Sequence, residues 1–171
     1  MSGLFYFIFI FVIYSFLGWC LEEVFSYFVL GYFKKEGFLS VPFKPMYGIA
    51  ISILVYMYEV LNLSKAVMTI FFIVIPTTVE YISGYLLKKY FDKVYWDYND
   101  IKYNFQGLIC LRFSLAWIGL SALTIFAIQP AISRIYLTFQ GVLKYVAMIL
   151  AVYIVIDFIE ITFNKCYKKV P

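Results

Sequence analysis

The chain has 171 residues, 64% of them hydrophobic and 23% aromatic against 14% charged, with a formal charge of +4 and no histidine. A soluble domain of this length would lack the polar surface to cover itself, and the missing histidine excludes histidine–metal sites and Ser-His-Asp triads. The lysines sit beside apolar runs, which points to lipid headgroups as the anionic partner and away from nucleic acid.

Several stretches reach the roughly 20 apolar residues that cross a bilayer core at about 1.5 Å rise per residue. The expected architecture is all-α: an integral membrane protein, a bundle of about five transmembrane helices in a single domain over residues 1–171. The first span covers residues 3–30. It lacks a positive n-region and a small-residue cleavage pattern, so it reads as an uncleaved span and not as a signal peptide. Within it Ser15, Trp19, Glu22 and Ser26 share one helical stripe. The segment "GFLSVPFKPMYG" follows, with two prolines and two glycines, too rigid for a mere spacer.

Span two covers residues 46–61 and span three residues 66–87, with Pro76 expected to kink the latter. Glu59 near the end of span two reads as solvated. Thr77, Glu80 and Gly84 share a face of span three. The loop "YWDYNDIKYNFQG" mixes aromatics with Asp97, Asn99, Asp100 and Asn104, a composition expected of an interfacial aromatic belt. Span four, residues 107–128, aligns Cys110, Ser114, Trp117 and Ser121, with Arg112 on another face. "QPAISRIYLTFQG" reads as a connection. Span five, residues 142–163, aligns Tyr153, Asp157, Glu160 and Asn164. Cys20, Cys110 and Cys166 lack the spacing of a disulfide framework or zinc site and read as small reduced hydrophobes.

Orientation follows from the connections. One side carries Lys34, Lys35, Lys44, Lys88, Lys89, Lys93, Lys102, Lys165, Lys168 and Lys169, the other Lys65, Arg134 and Lys144. The richer side belongs in the cytoplasm, which places the protein in the cell membrane with the N-terminus outside and the C-terminus inside. On that map Glu22, Glu23, Glu80, Arg112, Asp157 and Glu160 all fall toward the cytoplasmic ends of their spans. An unpaired charge in hydrocarbon costs about 2.5–3.5 kcal/mol on insertion scales, so pairing, protonation or water must offset it. The expected result is a bundle interior polar toward the cytoplasm and apolar toward the outside. One reading is a carboxylate-lined vestibule of Trp19, Glu22, Glu80, Arg112, Asp157 and Glu160. The other is structural, with Arg112 neutralising Glu80 or Glu22. Pro42, Pro45, Tyr47, Trp96, Asp97, Tyr98 and Asn104 would form a lid or docking platform.

"YSFLGWCLEE", "GFLSVPFKPMYG", "EYISGYLLKKYFDKVYWDY" and "NFQGLICLRFSLAW", in that order, resemble the bacterial membrane proteins known as putative ABC-transporter type IV permeases, the CmpB family, with relatives among small eukaryotic transmembrane proteins. The resemblance covers about residues 14–128. The family pattern falls on Trp19, Glu22, Gly37, Pro42, Pro45, Tyr47, Gly48, Glu80, Tyr81, Trp96, Asp97, Tyr98, Asn104, Gly107 and Trp117. The chain departs from it at Val41, Lys44 and Lys88. The resemblance implies a transport-associated component. No G-x-x-x-x-G-K-[ST] loop occurs, so a separate ATPase or other membrane subunit, or a homo-oligomer, would complete it. A non-catalytic accessory subunit is the alternative. A membrane-embedded enzyme acting on lipid is a third, using paired carboxylates or a hard cation at Asp97, Asp100 and Asn104. No catalytic residue and no cofactor is indicated, and the sequence leaves metal binding open.

Overall fold

The computed structural model describes residues 3–33 and 37–167, with side chains as far as Asn164. Lys34, Lys35, Lys168 and Lys169 lie outside the described residues, as do the side chains of Lys165 and Cys166.

Helix α1 (Leu4–Leu30) is apolar on every side and stops at Gly31, whose φ of 78° lets its N–H reach the Tyr27 carbonyl at 2.9 Å. The chain then doubles back. Lys44 N donates to the Ser15 carbonyl at 2.9 Å, about 22 Å back along α1 from its end. On this return Leu39, Val41 and Phe43 are buried while Ser40 and Pro42 are exposed, the period-2 alternation of an extended segment. The three apolar residues pack with Val12 of the first helix and Ile154 near the C-terminus.

Helix α2 (Pro45–Val55) starts where proline costs nothing, at the first position, and runs on into a π-helical turn, Tyr56–Val60. It crosses α1 closely. A Cβ on Gly18 would overlap the Tyr47 ring, and one on Gly48 would overlap Ser15 and the Phe11 carbonyl.

Helix α3 (Lys65–Phe91) is capped by Ser64, which accepts from Val67 N at 3.4 Å, and ends a turn later than the expected Leu87. Its last turn carries Lys88 and Lys89, charges the helix dipole favours there. Pro76 stays inside the helix and leaves the Phe72 carbonyl without its ladder amide. Ser121 of the neighbouring helix donates its hydroxyl to that carbonyl at 3.5 Å.

A hairpin of β1 (Asn104–Phe105) and β2 (Ile109–Cys110) precedes α4 (Leu111–Leu123). The fourth span therefore begins at Leu111 and not at Gly107, which sits in the hairpin turn with φ 68°. Helix α4 passes into a π turn, Thr124–Ile128, and then directly into α5 (Gln129–Tyr167). The connection expected over residues 129–141 is thus helical. Pro130 is accommodated because the π turn just before it has already interrupted the i→i+4 ladder that proline would break.

Among the described residues, three helices are long and apolar enough to cross a membrane: Leu4–Leu30, Lys65–Phe91, and the 54-residue run Leu111–Asn164. Pro45–Val60 is a shorter apolar helix. The long run is bent at Phe139, where φ is −116° and ψ is 20°. Tyr136 packs on Tyr6 and Phe9, while Ala147 joins that same cluster and Ile154 lies on Val12. A straight helix would carry Ile154 roughly 27 Å beyond Tyr136, yet Phe9 and Val12 are less than a turn apart. The arms on either side of Phe139 therefore both lie along α1.

Candidate functional site

Two polar assemblies occupy opposite ends of the bundle. At the Glu22 end, the Glu22 carboxylate forms an ion pair with Lys44, whose side chain is 14% exposed against 36% for Glu22. The return segment places Lys44 there, because it re-enters along α1 to the level of Ser15. The Tyr47 hydroxyl also bonds to Glu22, and the Tyr47 ring meets the edge of Trp117 at 5.7 Å. Trp117 Nε1 donates to Glu80 Oε2 at 3.0 Å, and the Tyr98 hydroxyl donates to Glu80 Oε1 at 2.9 Å. Both oxygens of Glu80, a residue 4% exposed, are thus satisfied. Burial, reinforced by the neighbouring Glu80 carboxylate, pushes the Tyr98 phenol well above its ordinary range, so it remains a donor.

The loop that presents Tyr98 is built by its own polar side chains. Asn99 N donates to Asp97 Oδ1 at 2.9 Å, Asn104 Nδ2 donates to the Asn99 and Ile101 carbonyls, and Gly107 N donates to Asn104 Oδ1 at 3.1 Å. Trp96 Nε1 donates to the Leu108 carbonyl at 2.8 Å, and its ring rests on Gly84. Asp97 and Asn104 are therefore turn-forming residues. Among the described residues no group of three or more Asp, Glu, Cys or His side chains is arranged to hold a metal ion.

The remaining candidates separate. Asp157 is buried and accepts from Ser40 N at 2.9 Å, pinning the return segment to α5. Trp19 stacks on Phe16. Arg112 is exposed and forms no ion pair among the described residues, so it does not neutralise Glu22 or Glu80; Lys44 is the cation on Glu22, and two neutral aromatic donors hydrogen-bond Glu80. Glu160 is exposed, as is Tyr153, because the inward line of α5 runs through Ala147, Ile154 and Asp157. On α4 the stripe of Cys110, Ser114 and Ser121 is buried as its spacing implies.

At the Tyr6 end the expected apolar interior is present and encloses a polar network that the sequence reading does not foresee. Glu59, read from sequence as solvated, accepts from Tyr6 Oη at 2.8 Å, Gln129 Nε2 at 2.9 Å and Ser133 Oγ at 3.2 Å. Gln129 also donates to Tyr6 Oη at 2.8 Å and accepts from Tyr14 Oη at 2.8 Å. Gln129 is 1% exposed and Tyr6 2%. Both π turns meet here, with Tyr58 against Phe126 at 5.4 Å. The i, i+4 spacing of Gln129 and Ser133 was the available signal, hidden because Pro130 made the stretch look like a loop.

Between the two assemblies lies a cavity of about 310 Å³. Its walls come from α1 (Leu17, Leu21), α2 (Ala50, Ile51), α3 (Pro76, Val79) and α4 (Trp117, Leu120), and it is apolar. None of Glu22, Glu80, Arg112, Asp157 and Glu160 lines it. Tyr47 and Trp117 form the partition between this chamber and the carboxylates.

A family model with the description "Putative ABC-transporter type IV" matches residues 9–162, which includes the last helix left outside the resemblance drawn from sequence motifs. No curated protein and no solved structure matches the chain.

Proposed function

The chain belongs to the "Putative ABC-transporter type IV" family, and from that premise we propose that it is a transport-associated membrane component with a vestibule facing the cytoplasm at the Glu22 end. The observation that carries this reading is the meeting of four elements at one depth: Glu22 with Lys44, Tyr47, and Glu80 held by Trp117 and Tyr98. Ionisable groups kept inside a membrane bundle mark substrate or ion paths by default. The bend at Phe139 supports two crossings by the long apolar run, hence five in all, and the lysine bias supports a cytoplasmic C-terminus.

The test is flux through proteoliposomes with a panel of monovalent cations and fluorescent amphiphiles. At least one solute moves faster than through empty liposomes, and the double variant Glu22→Gln, Glu80→Gln abolishes that excess. An excess flux that the double variant leaves intact removes the vestibule.

A second reading, a non-catalytic accessory subunit, is favoured by one observation: both oxygens of Glu80 already accept hydrogen bonds and Glu22 already has a cation. Absence of flux for the whole panel, with or without a co-purifying ATPase, decides for it.

A further inference from the structure

We propose that the chamber between α1 and α4 holds one hydrocarbon chain of a bilayer phospholipid, entering sideways from the leaflet at the Glu22 end. This rests on the membrane-spanning part of the reading above and not on transport.

Three features of the cavity carry it. Its walls offer water almost nothing to bond. Among the polar lining groups, the Ser121 hydroxyl is spent on the Phe72 carbonyl, Tyr14 on Gln129, Tyr47 on Glu22 and Trp117 on Glu80. A buried water needs two to four polar partners. A volume of about 310 Å³ also far exceeds the voids that close-packed interiors leave empty; an engineered apolar cavity of about half that size already takes benzene.

The mouth is lateral. Leu21 and Val24 line the cavity and yet are 39% and 49% exposed. They continue the exposed apolar face of α1 through Phe25 and Phe28. The open side therefore shares its surface with residues that a bilayer would cover, and the nearest apolar material to fill it is a lipid chain.

The far end narrows onto a buried tyrosine. The lining there ends at Tyr14, buried and hydrogen-bonded to Gln129 across the bundle, and at Ile128, which is 37% exposed. From Val24 to Tyr14 the slot is about 15 Å deep along α1, an elongated shape suited to a chain and not to a compact solute. The packing order leaves this gap, because α1 rests mainly on α2 and α5 while α4 rests mainly on α3.

The experiment is photo-cross-linking in nanodiscs with a phosphatidylcholine that carries a diazirine midway along one acyl tail, with adducts mapped by peptide mass spectrometry. Adducts are expected on Ile51 and Leu120 inside the chamber as well as on exposed Phe28. Ala50→Phe, which fills the chamber from α2, should lower the Ile51 and Leu120 adducts at least tenfold and leave Phe28 unchanged. Leu120→Trp does the same from α4, read at Ile51, and guards against misfolding of a single variant. Adducts on Phe28 with none on Ile51 or Leu120 overturn the proposal. So does chamber labelling that both filling variants leave intact. Occupancy is read without flux, so failure here and failure of the transport reading are separate results.

Discussion

The Tyr6 end and the Glu22 end each hold a glutamate in a side-chain network, and they stabilise it differently. Glu59 is held by side chains from helices alone, Tyr6, Gln129 and Ser133, in a network with most members nearly inaccessible. Glu80 and Glu22 depend also on segments outside the helices: Lys44 ends the return segment, and Tyr98 belongs to the loop before the hairpin. The first arrangement locks α1 to α2 and α5. The second places polar groups next to an apolar chamber while leaving α1 and α4 apart, and it can be disturbed by anything that moves a loop. A carboxylate inside a bundle is therefore not by itself a functional signal, because its partners decide whether it braces the fold or borders a cavity.

The largest effect should come from Glu59→Leu. It removes the acceptor shared by Tyr6, Gln129 and Ser133, whose bonds to one another compensate only in part, a loss of about 3 kcal/mol, measured by thermal unfolding in detergent. A loss no larger than that of Glu80→Leu would mean that the Tyr6 network is not the main brace. Glu80→Leu orphans two donors and should cost about 2 kcal/mol, with Trp117 emission altered as its N–H partner disappears. Unchanged Trp117 emission would contradict the hydrogen bond assigned to it.

Tyr98 makes the Glu22 end sensitive to alkali. Its folded-state pKa lies above the unfolded value near 10, so its contribution is complete below about pH 10 and is lost as pH rises toward the folded value. Tyr98→Phe should flatten the decline of unfolding temperature above pH 10, and an unaltered slope would show that this phenol does not govern it. Lys44→Ala, acting on a half-exposed partner, should cost about 1 kcal/mol or less; several kcal/mol would mean the pair is far more desolvated than its exposure shows. Smallest of all, Arg112→Leu and Glu160→Gln should stay within about 0.5 kcal/mol. A larger shift at Arg112 would restore it as the neutralising cation.

How far these features could be read in advance depends on what each residue signals locally. Helical spacing is legible because it is a property of adjacent turns, and so α1, α3 and the buried stripe of α4 lie close to where the spacing puts them. Glu22, Glu80, Tyr47 and Tyr98 were picked out as intramembrane acids and loop aromatics. Lys44 was counted only for its charge. Its pairing with Glu22 needs the chain to re-enter the bundle, and the alternation of Leu39, Val41 and Phe43 that accompanies this was overlooked. Gln129 and Ser133 were lost to a proline that usually ends a helix, here tolerated beside a π turn.

The sequence by itself determined the helices and their apolar surface, because side-chain character and hydrogen bonding of the backbone within one segment are set by composition and period. Only the tertiary structure decided which carboxylate meets which donor, that Glu59 is enclosed while Glu160 is not, and that an apolar chamber separates the two ends. Those outcomes depend on the rotation and spacing of helices far apart in the chain, set by close approaches such as Gly18 on Tyr47 and Gly48 on Ser15, and no local pattern carries that information.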